Sequence, residues 1–122
     1  MRVGGAALNQ TPLDWQGNTL RIKSAIEAAR RKNVDLLCLS ELCITGYGCQ
    51  DMFLHPWVSE KSLEMLAEII PTTKNIGVAL GLPIRVDGKV FNALAFIHDG
   101  KIAGFYIKQH LPKEGIHYER NL

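Results

Sequence analysis

Two ionisable side chains stand next to apolar runs in this sequence, in places where reactive groups are often displayed. Glu41 comes shortly after the run 34–39 (VDLLCL), and Lys108 follows the run 105–107 (FYI). A carboxylate there can serve as a general base near neutral pH, and a lysine can present a fixed positive charge to an oxyanion. Each has an ordinary alternative: Glu41 as a capping or salt-bridging residue, Lys108 as a surface lysine. The pair is therefore more informative than either residue alone.

The cysteines and histidines do not form a catalytic or metal-binding pattern. Cys38 lies inside an apolar run and is expected to be a small buried core residue. Neither Cys43 nor Cys49 follows a strand with a base directed at it, so we expect no nucleophile among the three cysteines and no fast-reacting thiol. The histidines, at positions 55, 98, 110 and 117, lack metal-ligand spacing. No metal site is predicted.

The composition is typical of a globular protein and excludes several classes of partner. The chain has 122 residues, 47% of them hydrophobic and 21% charged, enough for one domain. Its net charge of +2 is too weak to indicate nucleic acid or an anionic membrane surface. No apolar run approaches the roughly 20 residues of a membrane span, and no signal peptide is expected. An odd number of cysteines favours a reducing compartment, and we expect a cytoplasmic protein.

The hydrophobic periodicity predicts an α/β fold with a mixed sheet. A strand, helix and strand in succession form a βαβ unit with parallel strands, and two Asp-Gly pairs indicate antiparallel hairpins. The predicted order is strand 3–8, helix from Asn18 as N-cap to about 33, strand 34–39 buried on both faces, helix from about Ser59 to Pro71, strand 76–82, and turns at 87–88 and 99–100. The helix stripes are Ile22, Ala25, Ile26 and Ala29, then Leu63, Leu66, Ala67 and Ile70.

The end of the sequence suggests an unfinished sheet. The last predicted strand leads into a segment with Pro112, and no closing helix or strand is evident before Leu122. A sheet left that way would expose an edge and a face. We therefore expect more chain, or a partner, to complete it.

Three segments resemble the motifs of the nitrilase superfamily of carbon–nitrogen hydrolases. Residues 39–47 (LSELCITGY) resemble its glutamate motif, and residues 106–112 (YIKQHLP) its lysine motif. Tyr118-Glu119 is similar to the second glutamate segment, while residues 91–93 and 99–101 fit between the first two motifs. The resemblance covers essentially all of residues 1–122.

The resemblance implies a nitrilase-like αββα sandwich, with this chain as its N-terminal half, and a Cys-Glu-Lys triad. Glu41 would take the thiol proton and later activate water, and Lys108 would stabilise the oxyanion. Glu119 would position both by hydrogen bonding and charge, and Tyr47 would line the substrate site. The nucleophilic cysteine would follow a later strand, beyond Leu122.

A narrower resemblance is to the glutaminase domains of glutamine-dependent NAD+ synthetases. It rests on residues 45–47 (TGY) followed by 51–54 (DMFL), and on 108–112 (KQHLP) leading to 118–120 (YER). It implies L-glutamine as substrate and a homo-oligomer. It also implies a synthetase domain on the same polypeptide, outside this chain, that uses ATP and Mg to amidate nicotinic acid adenine dinucleotide. Some such domains have an aromatic residue where this chain has Lys113-Glu114, which leaves glutamine recognition open.

Two other functions are compatible with the same residues. One is a stand-alone amidase or carbamylase of the superfamily. The other is a non-catalytic interaction domain in which Glu41 and Lys108 form a structural ion pair. A cysteine downstream of Leu122 would separate the enzymes from the interaction domain. No cofactor is expected within this chain.

Overall fold

A five-stranded mixed sheet organises the chain in a computed structural model that describes residues 1–108. The elements are β1 (Val3–Gly5), α1 (Trp15–Arg31), β2 (Leu36–Cys38), a 3-10 segment (Tyr47–Leu54), α2 (Pro56–Ile69), a 3-10 turn (Ile70–Thr72), β3 (Gly77–Val86), β4 (Lys89–His98) and β5 (Lys101–Ile107). The predicted α/β architecture is confirmed, with strands shorter than predicted for β1 and β2 and longer for β3.

The strand directions bring the predicted reactive residues to one edge of the sheet. β1, β2 and β3 pair in parallel, whereas β3 with β4 and β4 with β5 pair antiparallel. Two antiparallel steps restore the original direction, so β5 runs the same way as β2 and β3. The carboxyl ends of β2, β3 and β5 therefore lie at the same edge, together with the start of β4.

Both helices begin earlier than predicted. Asp14 is the N-cap of α1, and its carboxylate accepts a hydrogen bond of 3.1 Å from the Gly17 amide. The prediction of Asn18 as N-cap is wrong because Asn18 lies in the first turn, fully buried, with its side chain bound to loop carbonyls. α2 begins with Pro56, whose missing N–H suits the first helical position. The α-helix ends at Ile69, and Pro71 belongs to the 3-10 turn that follows.

One face of the sheet carries the main core. The stripe predicted on α1 packs against β2 and β3, with Ile22, Ile26 and Ala29 buried. The stripe predicted on α2 is partly wrong, since Leu63 and Ala67 are exposed. The face that α2 buries is instead formed by Val58, Ser59, Ser62, Met65, Leu66 and Ile69. Ser62 is tolerated there because its hydroxyl donates to the Val58 carbonyl at 2.7 Å.

The opposite face of the sheet is less covered. Leu37 is buried against the helices, but its neighbour Cys38 points the other way and is exposed. The predictions that strand 34–39 is buried on both faces and that Cys38 is buried are therefore wrong. Cys38 shares a row across the sheet with Ala79 and Phe96, and Phe96 is 39% exposed. Within the described residues, α1 and α2 cover only the face that carries Leu37.

The two predicted hairpin turns are confirmed. Asp87 and Gly88 have φ values of 50° and 77°, and Asp99 and Gly100 have 49° and 79°. Positive φ at both central residues is what a type I′ turn requires. The Asp99 carboxylate also accepts a hydrogen bond from the Asn75 amide at 3.0 Å, and this bond lowers the pKa of Asp99. The turn before β5 is thereby tied to the loop before β3.

Thiol modification provides a test of this burial pattern. Iodoacetamide at neutral pH should modify Cys38 before Cys43 and Cys49. Burial raises the pKa of Cys43 to about 12 and also raises that of Cys49, so both remain protonated and unreactive. Peptide mapping by mass spectrometry measures the order. In a Cys38→Ser variant we expect little labelling until urea is added, and labelling of Cys43 as fast as Cys38 would contradict the structure.

Candidate active site

Glu41 reaches the shared edge because the chain crosses over β3 at a residue without a side chain. A Cβ atom on Gly81 would lie 2.2 Å from the Leu42 nitrogen and 2.9 Å from the Glu41 carbonyl carbon. Such distances are not possible, so Gly81 is required for the crossing. The Ile44 amide then donates to the Gly81 carbonyl at 3.2 Å. Glu41 is thus carried from the end of β2 to a position above β3.

The crossing requires an unusual backbone conformation at Leu42. Its φ is 51°, in the left-handed region that non-glycine residues seldom adopt. The Leu42 side chain is fully buried in a small cluster with Cys49, Phe53 and Val58. Strained backbone of this kind is found where the surrounding structure holds it in place, often at functional sites.

Side chains preceding and opening α1 hold the segment that follows Glu41. Gln10 Nε2 donates to the Cys43 carbonyl at 2.8 Å, and Asn18 Nδ2 donates to the Ile44 carbonyl at 3.1 Å. The Leu13 amide adds a bond of 2.7 Å to the Thr45 carbonyl. Three consecutive carbonyls are therefore satisfied from the same side. Sequence reasoning missed Gln10 and gave Asn18 a different role, since polar residues near a helix start are usually caps.

Glu41 and Lys108 meet at the edge, as predicted from their positions. Lys108 directly follows β5, and its amide donates to the Asn92 carbonyl at 2.9 Å. Its Nζ forms an ion pair with Oε1 of Glu41. The side chains of Lys108 and Glu41 are 31% and 38% exposed, so both are partly open to water within the described chain.

Asn92 is a member of this site that sequence reasoning did not single out. It is 3% exposed, and its Nδ2 donates to Oε1 of Glu41 at 2.7 Å. The signal for it was a lone polar residue in the apolar part of β4, residues 90–97 (VFNALAFI). A buried amide in such a strand needs a polar partner, and here the partner is Glu41.

Glu41 lies between two pockets. The first has a volume of about 210 Å³ and is lined by Glu41, Gly81, Asn92, Ala93, Leu94, Tyr106 and Lys108. The second has about 260 Å³ and is lined by Leu8, Asn9, Gln10, Ser40, Glu41, Leu42, Cys43 and Tyr47. Tyr47, expected to line the substrate site, therefore borders a pocket that Glu41 also lines. Its contact with substrate stays a prediction.

The remaining predicted groups are placed as follows. Glu119 lies outside the described residues, so its positioning role stays a prediction. Cys43 is close to Glu41 in sequence, but burial raises its pKa to about 12. Within residues 1–108, no three His, Cys, Asp or Glu side chains are grouped to hold a metal ion. In the same part of the chain, no helix has the length and apolar character needed to cross a membrane.

Comparison with known proteins identifies a matching family and relatives that share one name. The sequence model of the family described as carbon-nitrogen hydrolase matches residues 2–122. The chain is 34% identical over 121 residues to the glutamine-dependent NAD(+) synthetase of Thermotoga maritima, covering 98% of this chain and 21% of that protein. It is 37% identical over 114 residues to the glutamine-dependent NAD(+) synthetase of Saccharomyces cerevisiae, covering 92% and 16%. The chain thus spans about a fifth of these relatives or less.

Solved structures extend the comparison to the fold. A glutamine-dependent NAD(+) synthetase from Cytophaga hutchinsonii superposes with a TM-score of 0.94 at 50% identity, over 98% of this chain and 20% of that one. An amidase from Nesterenkonia sp. superposes with a TM-score of 0.84 at 20% identity, over 99% of this chain and 46% of that one. The second match shows a shared fold.

A substitution that adds one methyl group at position 81 tests whether the crossing requires glycine there. Gly81→Ala should destabilise the protein by about 1–3 kcal/mol or more, because the added carbon has no space beneath the Glu41–Leu42 backbone. Urea unfolding measures the loss. Gly104→Ala is the matched control on β5, where a Cβ meets nothing within 4 Å, and its effect should stay within about 0.5 kcal/mol. Equal stability of the two variants would show that the crossing does not depend on Gly81.

Proposed function

Because the chain belongs to the carbon–nitrogen hydrolase family, we propose that it forms part of the glutaminase domain of a glutamine-dependent NAD+ synthetase. The observation that carries the proposal is the contact between Lys108 Nζ and Glu41 Oε1 at the shared strand edge. Both residues line one pocket. The likeness to synthetases, at 50% identity in one solved structure, supports this reaction over other amide hydrolyses.

In the proposed reaction, a cysteine supplied beyond this chain attacks the side-chain amide carbon of L-glutamine. Glu41 accepts the thiol proton, and Lys108 stabilises the oxyanion of the tetrahedral intermediate. The C–N bond of this intermediate then breaks, Glu41 returns the proton to the leaving nitrogen, and ammonia departs to leave a thioester. Glu41 next removes a proton from the water that hydrolyses the thioester, and glutamate is released. Glu119 would hold Glu41 and Lys108 in position, and Tyr47 would line the glutamine site.

Stability alone gives a weak reason for the ion pair. A pair between partly exposed side chains contributes about 0–1 kcal/mol, and both partners here are about a third exposed. The arrangement nevertheless requires a left-handed backbone at Leu42 and a buried polar side chain at Asn92, both of which are unfavourable by themselves. These two features favour a catalytic pair over the structural ion pair of a non-catalytic interaction domain.

The ammonia would pass to a synthetase domain on the same polypeptide. There, ATP and Mg would support amidation of nicotinic acid adenine dinucleotide to NAD+. This part of the proposal is supported by the length of the relatives, since the chain matches 20% of the solved synthetase.

A homo-oligomer in the cytoplasm belongs to the same proposal, and the three free cysteines suit a reducing compartment. The stand-alone amidase alternative is supported only by a shared fold.

The lysine can be tested with two ammonia sources. In the complete polypeptide, Lys108→Ala should reduce glutamine-driven NAD+ formation about 100–1,000-fold, the usual cost of losing an oxyanion donor. The reaction driven by ammonium chloride should survive, because free ammonia bypasses the glutaminase site. The 122-residue chain alone should release no ammonia from glutamine.

Lys101→Ala is the matched control, since Lys101 lies at the other end of β5 and is exposed. It should leave both reactions unchanged. If Lys108→Ala abolished the ammonium-driven reaction as well, Lys108 would be a folding residue and the catalytic assignment would fail.

A further inference from the structure

The two donors that reach the Glu41 carboxylate fall on the same oxygen. Asn92 Nδ2 lies 2.7 Å from Oε1, and Lys108 Nζ contacts the same atom. A carboxylate offers about four acceptor positions over its two oxygens, so two donors fill those of Oε1. Within residues 1–108, Oε2 receives neither of them. The two oxygens of Glu41 are therefore not equivalent.

We propose that Asn92 is a positioning residue that fixes Oε1 of Glu41 and thereby assigns proton transfer to Oε2. The inference rests on the proposed function, because it concerns the oxygen that takes the proton from the cysteine thiol. A general base must present a lone pair within hydrogen-bond reach of its proton. With Oε1 held by two donors, Oε2 is the oxygen available for that task.

Asn92 forms hydrogen bonds with Lys108 as well as with Glu41. Its side chain binds Glu41, and its main-chain carbonyl accepts the Lys108 amide at 2.9 Å. This bond extends the β4–β5 ladder by one residue beyond the pair Ala93–Ile107. Asn92, a residue of β4, therefore fixes the relative positions of both groups. Sites built on strands are held more closely than sites on loops.

The neutrality of the amide matters for this role. A second cation at position 92 would compete for the carboxylate and weaken it as a base, whereas an amide orients the carboxylate without adding charge. The charged group that contacts Glu41 from the described elements is Lys108, at the end of β5. β4 contributes the uncharged Asn92, and β3 contributes Gly81.

The test compares Asn92→Leu and Asn92→Asp in the complete polypeptide. Leucine has a similar size but no donor, and aspartate keeps the shape but places a second carboxylate beside Glu41. We expect kcat for glutamine to fall about 10–100-fold, part of the ~10²–10⁴-fold that a positioned base contributes. KM for glutamine should change less than about twofold, because uniform substrate binding is not removed. The aspartate variant should lose more at neutral pH.

The pH profile separates positioning from a structural role. A carboxylate that loses a hydrogen-bond donor holds its proton more tightly, so the acidic limb of kcat/KM should move to higher pH in Asn92→Leu. The ammonium-driven reaction should be unchanged. His98→Leu, on the same strand and the same face, should alter neither the limb nor kcat. A folded Asn92→Leu protein with wild-type kcat and pH profile would overturn the positioning role and leave the glutaminase proposal intact.

Crystal structures of the wild-type and Asn92→Leu polypeptides test the inference without any assay. The Glu41 carboxylate should rotate or become disordered in the variant, whereas an unchanged carboxylate would overturn the inference. A wild-type polypeptide that releases no ammonia from glutamine would overturn the proposed function instead. The two failures are therefore distinguishable.

Discussion

The whole site depends on the passage of one chain segment over Gly81. β2 and β5 are separated by β3 and β4, so three strand spacings of about 4.8 Å, roughly 14 Å in total, divide their ends. Glu41 could not contact Lys108 from directly above β2. By crossing to β3, it shortens the gap to about two spacings, roughly 10 Å, which two extended side chains can bridge. The absence of a Cβ at Gly81 is what permits this displacement.

Other contacts compensate for the backbone strain of the crossing. A left-handed conformation at a residue such as Leu42 costs about 1–2 kcal/mol, and full burial of a leucine side chain contributes about 1.5–3 kcal/mol. The burial of Leu42 can therefore offset its backbone strain. The bonds from Gln10 and Asn18 then satisfy the carbonyls that the crossing leaves without sheet partners. The polar residues around the start of α1 thus serve the site on the other side of the core.

The sequence predicted the elements and the pairing of Glu41 with Lys108 because both depend on local patterns: apolar runs, Asp-Gly turns and the ends of strands. It failed where one pattern fits two arrangements. Leu63 and Met65 both belong to plausible stripes on α2, and only contact with the sheet decides between them. Cys38 in an apolar run gives no sign of which sheet face is covered. Asn92 carried a signal, but its partner is 51 residues away in sequence.

The Glu41 crossing lies on one face of the sheet, and this limits the direction from which a nucleophile can approach Glu41. Gly81, Leu94 and Tyr106 form one row, so the Glu41 crossing lies on the face that carries them. The opposite face is filled at this level by Leu80 and Leu82, buried among the helices. On the proposed function, the cysteine must therefore arrive from the side where Tyr106 is 65% exposed. On the same proposal, a segment that covered this face would also close the pocket around Glu41, so covering the face and enclosing the site would be one step.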